Sequence, residues 1–153
     1  MRKKYRPKPI RMDNMAFVQA GIRPFEALPA GTTLRVKNHD ALNNLRMGIA
    51  TREDMDMLIA ASNIAEAMRR MGKGTDWKEE LKAGHDAILA VARRGVKDMH
   101  FVMTGLELQA LNLLMDVHDA QLDSCTVQDV ESAIDLVMEE IRNKRATRIK
   151  EKT

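Results

Sequence analysis

Aromatic residues are scarce, with one Trp, one Tyr and three Phe among 153 residues. Strands favour aromatic and β-branched side chains. The apolar residues here are largely Met, Leu, Ile, Val and Ala, a mixture that points to helices. The same scarcity argues against a platform that stacks single-stranded bases. Only one cysteine, Cys125, is present; an intrachain disulfide is therefore excluded and a reducing compartment fits. No apolar run approaches the roughly 20 residues of a membrane span, and no hydrophobic signal region follows the charged start. The expectation is a cytoplasmic protein with no membrane partner. Also missing are GxSxG, HExxH, a paired Glu-x-x-His and any Cys/His spacing, so no catalytic residue, metal ligand or cofactor is assigned. Gly72-Lys73-Gly74 lacks the strand and the spacing of a phosphate loop and reads as a helix stop.

What is present is charge, unevenly placed. Residues 1–12 carry six bases (Arg2, Lys3, Lys4, Arg6, Lys8 and Arg11) and no acid. Residues 142–153 carry six more (Arg142, Lys144, Arg145, Arg148, Lys150 and Lys152) against Glu151. The 13–141 segment between them holds 13 basic and 21 acidic residues, a net of −8. The reading is a single acidic helical domain over 13–141, preceded by a basic extended arm and followed by a basic tail. A chain this long buries roughly 70% of its unfolded surface, enough for one proper core.

Along the chain, Pro7 and Pro9 bias the arm toward extended backbone. A short helix over Met15–Ala20 ends at Gly21, and Pro24, Pro29 and Gly31 make residues 21–33 irregular. Residues 33–37 alternate weakly, as a short strand would, and could pair with an extended 96–103. Asn38 caps a brief helix running to Gly48. Three capping boxes then mark helix starts: Thr51 with Asp54, Thr104 with Glu107, and Thr126 with Asp129. Four amphipathic helices are expected over 52–71, 76–94, 105–122 and 127–143. The last aligns Val130, Ala133, Ile134, Val137 and Ile141 toward the core. The fold class expected is all-α, an antiparallel four-helix bundle with short N-terminal helices, a minor two-strand pairing and extended basic termini.

Three of the four histidines are followed by Asp and Ala: His39-Asp40, His85-Asp86 and His118-Asp119. Adjacent helical residues point about 100° apart and do not face one ligand. His118 falls on the core line of its helix, and Asp119 turns with Asp116 and Asp123 toward water. Proteins of the HD-hydrolase family use helical His and His-Asp ligands, but the similarity stops at the dipeptide, so core and surface histidines are the reading. Cys125 and the serines have no predictable base. The twelve methionines fall mostly at core spacing.

The basic ends are the strongest functional signal. Arg2, Lys3, Lys4, Tyr5, Arg6, Lys8 and Arg11, with Arg142, Lys144, Arg145, Arg148 and Lys150, could follow phosphates or dock an acidic partner. Solubilising tails are the bland reading of the same residues. A helix-turn-helix reader is disfavoured, because Glu53, Asp54 and Asp56 would repel phosphate. The carboxylates Asp116, Asp119, Asp123, Asp135, Glu139 and Glu140 form a second candidate surface, which could mimic nucleic acid. A basic arm laid across a neighbour's acidic body would give a homo-oligomer.

The stretches "RKKYRPKP", "VKNHDALNNL", "ATREDMDMLIAASNIAEA", "VHDAQLD" and "EEIRNKRA" resemble small helical proteins encoded in bacteriophage and prophage genomes. The resemblance spans most of the chain and brings no known catalytic residues. It implies an accessory phage protein in a bacterial cell, one that binds and inhibits or regulates a host macromolecule. The expected function is thus a non-enzymatic interaction module with a host protein as partner. The alternative is weakly specific binding of DNA or RNA through the basic arms.

Overall fold

The computed structural model describes Phe25, residues 29–145 and Ile149. Among them the fold is all-α, with five helices: α1 (Pro29–Arg46), α2 (Arg52–Arg70), α3 (Lys78–Gly95), α4 (Gly105–Ser124) and α5 (Val127–Arg142). A 3-10 turn, Thr75–Trp77, leads into α3. The arm over 1–12 and the helix expected over Met15–Ala20 lie outside the described residues. No described helix is long and apolar enough to cross a membrane.

The three capping boxes are formed as the sequence predicts, with both reciprocal hydrogen bonds present at Thr51, Thr104 and Thr126. Each box satisfies two of the backbone donors that a helix start leaves unpaired. Glu107 does more than cap. It accepts the Thr104 N–H at 2.8 Å and also two guanidinium bonds from Arg94, at 2.8 and 2.6 Å, which clasps the end of α3 to the start of α4. Arg94 holds the Glu107 carboxyl below its usual range, against a smaller opposing effect of burial.

The strand expected over 33–37 is overturned, because those residues belong to α1. Pro29 begins this helix instead of breaking it, since a first-turn position has no intrahelical use for the missing N–H. The Thr33 hydroxyl donates back to the Pro29 carbonyl at 2.9 Å. Asn38, Ala41, Leu42 and Leu45 are buried at helical spacing, whereas Thr32, Thr33, Val36 and Lys37 face out. Burial of that stripe outweighs the weak alternation of the segment. Asn38 is accordingly an interior residue and not a cap. With 33–37 helical, residues 96–103 have no strand to pair with; they form a turn and an irregular link. Gly31 has a different use from the one expected, because a Cβ there would stand 2.6 Å from the Phe25 carbonyl oxygen.

The main core joins residues of α1 to α4, among them Leu45, Leu58, Ile88, Leu111, Leu114 and Met115. A second cluster, with Phe25, Met68, Leu122, Cys125, Val130 and Ala133, fills the space beneath the start of α5. The Phe25 N–H donates to the Cys125 carbonyl at 3.1 Å, and burial raises the Cys125 thiol pKa. α2 packs against every other helix. It can do so because Ala61, Ser62, Ala65 and Ala67 keep its buried surface low.

α3 and α4 meet closely at Gly84, where a Cβ would lie 2.6 Å from the Leu114 Cβ. Gly84→Ala should therefore lose about 1–3 kcal/mol of stability through overpacking, despite alanine's better helix propensity. Urea unfolding checks this, and a variant as stable as the parent would show that the two helices can part without cost.

Candidate functional site

α3 and α5 both flank α2, and between them runs an open groove of about 420 Å³. α2 contributes Ile59, Asn63, Glu66 and Arg70; α3 contributes Lys78, Leu81, Lys82, His85 and Leu89. Within each helix these residues are three or four apart, so each set forms one stripe on the helix surface. α5 closes the far side with Leu136, Val137, Glu140 and Ile141. The result is an apolar floor of Ile and Leu under a rim of charged heads.

The rim is predominantly basic. Arg70, Lys78, Lys82 and Arg145 stand against Glu66 and Glu140, and both acids are engaged. Glu66 accepts two bonds from Arg69, at 2.9 and 2.8 Å, and these hold its carboxyl below the usual range. Glu140 lies 3.3 Å from Arg70 and 3.7 Å from Arg145. Lys82 bonds Asp86 at 2.7 Å, an exposed pair that contributes little to stability. His85 Nδ1 sits 3.0 Å from the Ser62 hydroxyl, the geometry of a nucleophile and its base. Ser62 itself is buried, 2% exposed, whereas His85 lines the groove. Among the described residues no three His, Cys, Asp or Glu side chains converge as metal ligands.

α5 carries a feature that periodicity alone misassigns. Ile134 and Ile141, expected in the core with Val130 and Ala133, are 42% and 48% exposed, and Met138 between them is 49% exposed. These three form an uncovered apolar stripe along the groove's outer edge. Helix α5 ends in a Schellman motif: the Arg145 N–H donates to the Glu140 carbonyl at 3.0 Å and the Lys144 N–H to Ile141 at 3.0 Å. Lys144 takes the left-handed conformation, φ 57°, where glycine is usual. Beyond it, Ile149 is half-buried, packs on the main core and lines the groove.

The other expected site residues are dispersed. Arg142, Lys144 and Arg145 are exposed at the end of α5. Arg2, Lys3, Lys4, Tyr5, Arg6, Lys8, Arg11, Arg148 and Lys150 lie outside the described residues. The six candidate carboxylates divide between two helices. On α5, Asp135 and Glu139 are exposed, and Glu140 belongs to the groove. On α4, Asp116 is exposed, whereas Asp119 and Asp123 hold α1. His39 Nε2 lies 2.7 Å from Asp119 Oδ2, and Arg35 donates to Asp123 and to the Asp119 carbonyl. The first and third His-Asp-Ala runs thus meet, as a staple between helices. Asp119 turns toward α1, not out to water with Asp116 as its position in the sequence suggests.

Beneath this staple, His118 and Asn38 are both 0% exposed, and none of their side-chain nitrogen or oxygen atoms has a hydrogen-bond partner among the described residues. Such groups carry their desolvation cost without return. Burial depresses the His118 pKa to about 4, with Gln121 and Asp119 pulling weakly the other way. The unfolded chain therefore takes up the His118 proton first. The folded state keeps its full stability above about pH 6.5 and loses roughly 3 kcal/mol as the pH falls toward 4. His118→Leu removes that loss, so relative to the parent it should gain about 2 kcal/mol at pH 5 beyond any difference at pH 7. Urea unfolding at the two pH values measures it, and an equal difference at both would mean that the ring is not held neutral.

No protein-family model, curated protein or solved structure matches the chain.

Proposed function

We propose that the protein is a non-enzymatic helical interaction module, which binds a host protein by taking an acidic amphipathic helix into the groove between α2, α3 and α5. One observation carries this reading: an apolar floor continuous with the exposed Ile134–Met138–Ile141 stripe, under a rim that is mainly basic. A helix laid in such a groove buries apolar anchors at helical spacing, and acids on its flanks meet Arg70, Lys78 and Lys82. The setting that fits is a bacteriophage accessory protein inside a bacterial cell, inhibiting or regulating host machinery. The body is read as an antiparallel bundle, supported by the short links at 47–51 and 125–126 between successive helices.

A second reading is DNA or RNA binding through the basic ends, which is favoured by the exposed Arg142, Lys144 and Arg145 beside the basic rim. Capture from bacterial lysate, with and without nuclease treatment, separates the two. A groove-bound protein should be retained by the parent and by a form whose six bases in residues 2–11 are replaced by Gln. It should be lost, by at least about tenfold, in Met138→Glu/Ile141→Glu, since truncating central apolar anchors typically removes 2 kcal/mol or more. If only nucleic acid is retained, and only with the arm bases intact, the groove reading fails and the second replaces it.

A further inference from the structure

We propose that the groove takes α5 of a second copy of this chain, in a twofold dimer where each copy lays its Ile134–Met138–Ile141 stripe into the other's groove. This rests on the groove being a docking site for an acidic amphipathic helix, and α5 is itself such a helix.

On α5, Glu131, Asp135 and Glu139 recur every four residues and are all exposed, so they form one row along the helix. At 3.6 residues per turn that row runs beside Ile134, Met138 and Ile141, on the side away from the buried Val130 and Ala133. α5 therefore presents apolar anchors with acids along one flank, which is what an apolar floor under a basic rim receives. The packing of one copy leaves those three anchors uncovered, an apolar patch that calls for a partner.

The order of features across the surface selects a second copy as that partner. An exposed base row on α3, Lys78 and Lys82, is followed by the groove, then by the stripe on α5, then by the acid row. Reversing this order exchanges base for acid and hollow for ridge. A rotation of 180° about an axis between groove and stripe therefore sets Lys78 and Lys82 against the other copy's Glu131, Asp135 and Glu139, and does so twice. An isologous interface needs this self-complementarity, because the same patch serves on both sides. Lys82 already bonds Asp86 at 2.7 Å, but the two side chains are 65% and 58% exposed, and such an open pair changes partner at little cost. Pairing of two copies and docking of a host helix use the same groove and exclude one another, so the monomer is the form that binds a host protein.

Sedimentation equilibrium of the full-length protein tests this. The parent should show a mass that rises with concentration from 17.3 kDa toward twice that value, and that falls back as salt is raised. Two charge-reversed forms distinguish this interface from any other. Glu131→Lys/Asp135→Lys makes the acid row mainly basic, and Lys78→Glu/Lys82→Glu makes the base row acidic. Each alone then sets like charges together, and should self-associate at least about tenfold more weakly than the parent. Mixed in equal amounts the two should pair again, since each reversed row now faces its opposite. Near-ultraviolet circular dichroism from Trp77 matching the parent's shows that both forms are packed. A parent that stays at 17.3 kDa throughout the concentration series, a dimer that ignores both reversals, or a mixture of packed forms that fails to pair overturns the inference. Capture of a host protein from lysate, lost in Met138→Glu/Ile141→Glu, would then leave the docking reading standing. A parent that pairs as described but retains no host protein supports the dimer and removes that reading instead.

Discussion

Everything in this protein is arranged around the requirement that α2 be buried by four other helices at once. A helix that contacts neighbours on nearly all sides cannot carry large side chains everywhere, because interiors pack at crystal-like density. α2 meets the constraint by alternating Leu58 and Met68 with Ala61, Ser62, Ala65 and Ala67. The small residues let α3, α4 and α5 approach, and Gly84 plays the corresponding part where α3 receives Leu114. The groove is a by-product of the same geometry. α3 and α5 each lie against α2, and the space between them is left over it as an open channel.

Polar chemistry follows the same division between an inner seam and outer staples. Gln121 reaches from α4 to the carbonyls of Ala65 and Lys73, at 3.0 and 2.9 Å, fixing the end of α2 and the turn after it. Arg35 and His39 fix α1 to α4 from outside. Between these ties, Asn38 and His118 are enclosed without hydrogen-bond partners among the described residues. Their burial is a cost the fold carries, offset by the apolar contacts of Leu42, Leu45, Leu111 and Leu114 around the same interface.

How much of this was legible in the sequence depended on the range of the interactions involved. The starts of α2, α4 and α5 were readable because a capping box is complete within four residues. α1 was misread because Pro29 and Gly31 break a helix interior but not a first turn, and because Thr-Thr-Leu-Arg-Val-Lys imitates a strand over too short a window. The core face of α5 was placed only in part. Periodicity reports that Ile134, Val137 and Ile141 share a side, and cannot report that no described helix covers the outer part of it. The groove itself needed residues from three helices, and its lining also includes Ile149, which belongs to no helix. An apolar run on α5 richer than its two buried residues require, followed by an isolated Ile149 in a basic tail, was the signal available.

The clasp at Glu107 has a further consequence. A single carboxylate satisfies the first turn of α4 and at the same time neutralises Arg94 in the last turn of α3. The two helix ends therefore cannot fray independently: an opening that strips the cap from α4 also strands the guanidinium that closes α3. An opening at either helix end on this side of the molecule therefore disturbs the other as well. The helical hairpin from Lys78 to Ser124 is thus tied across its own link, where Arg94 also reaches the Val102 carbonyl at 2.8 Å.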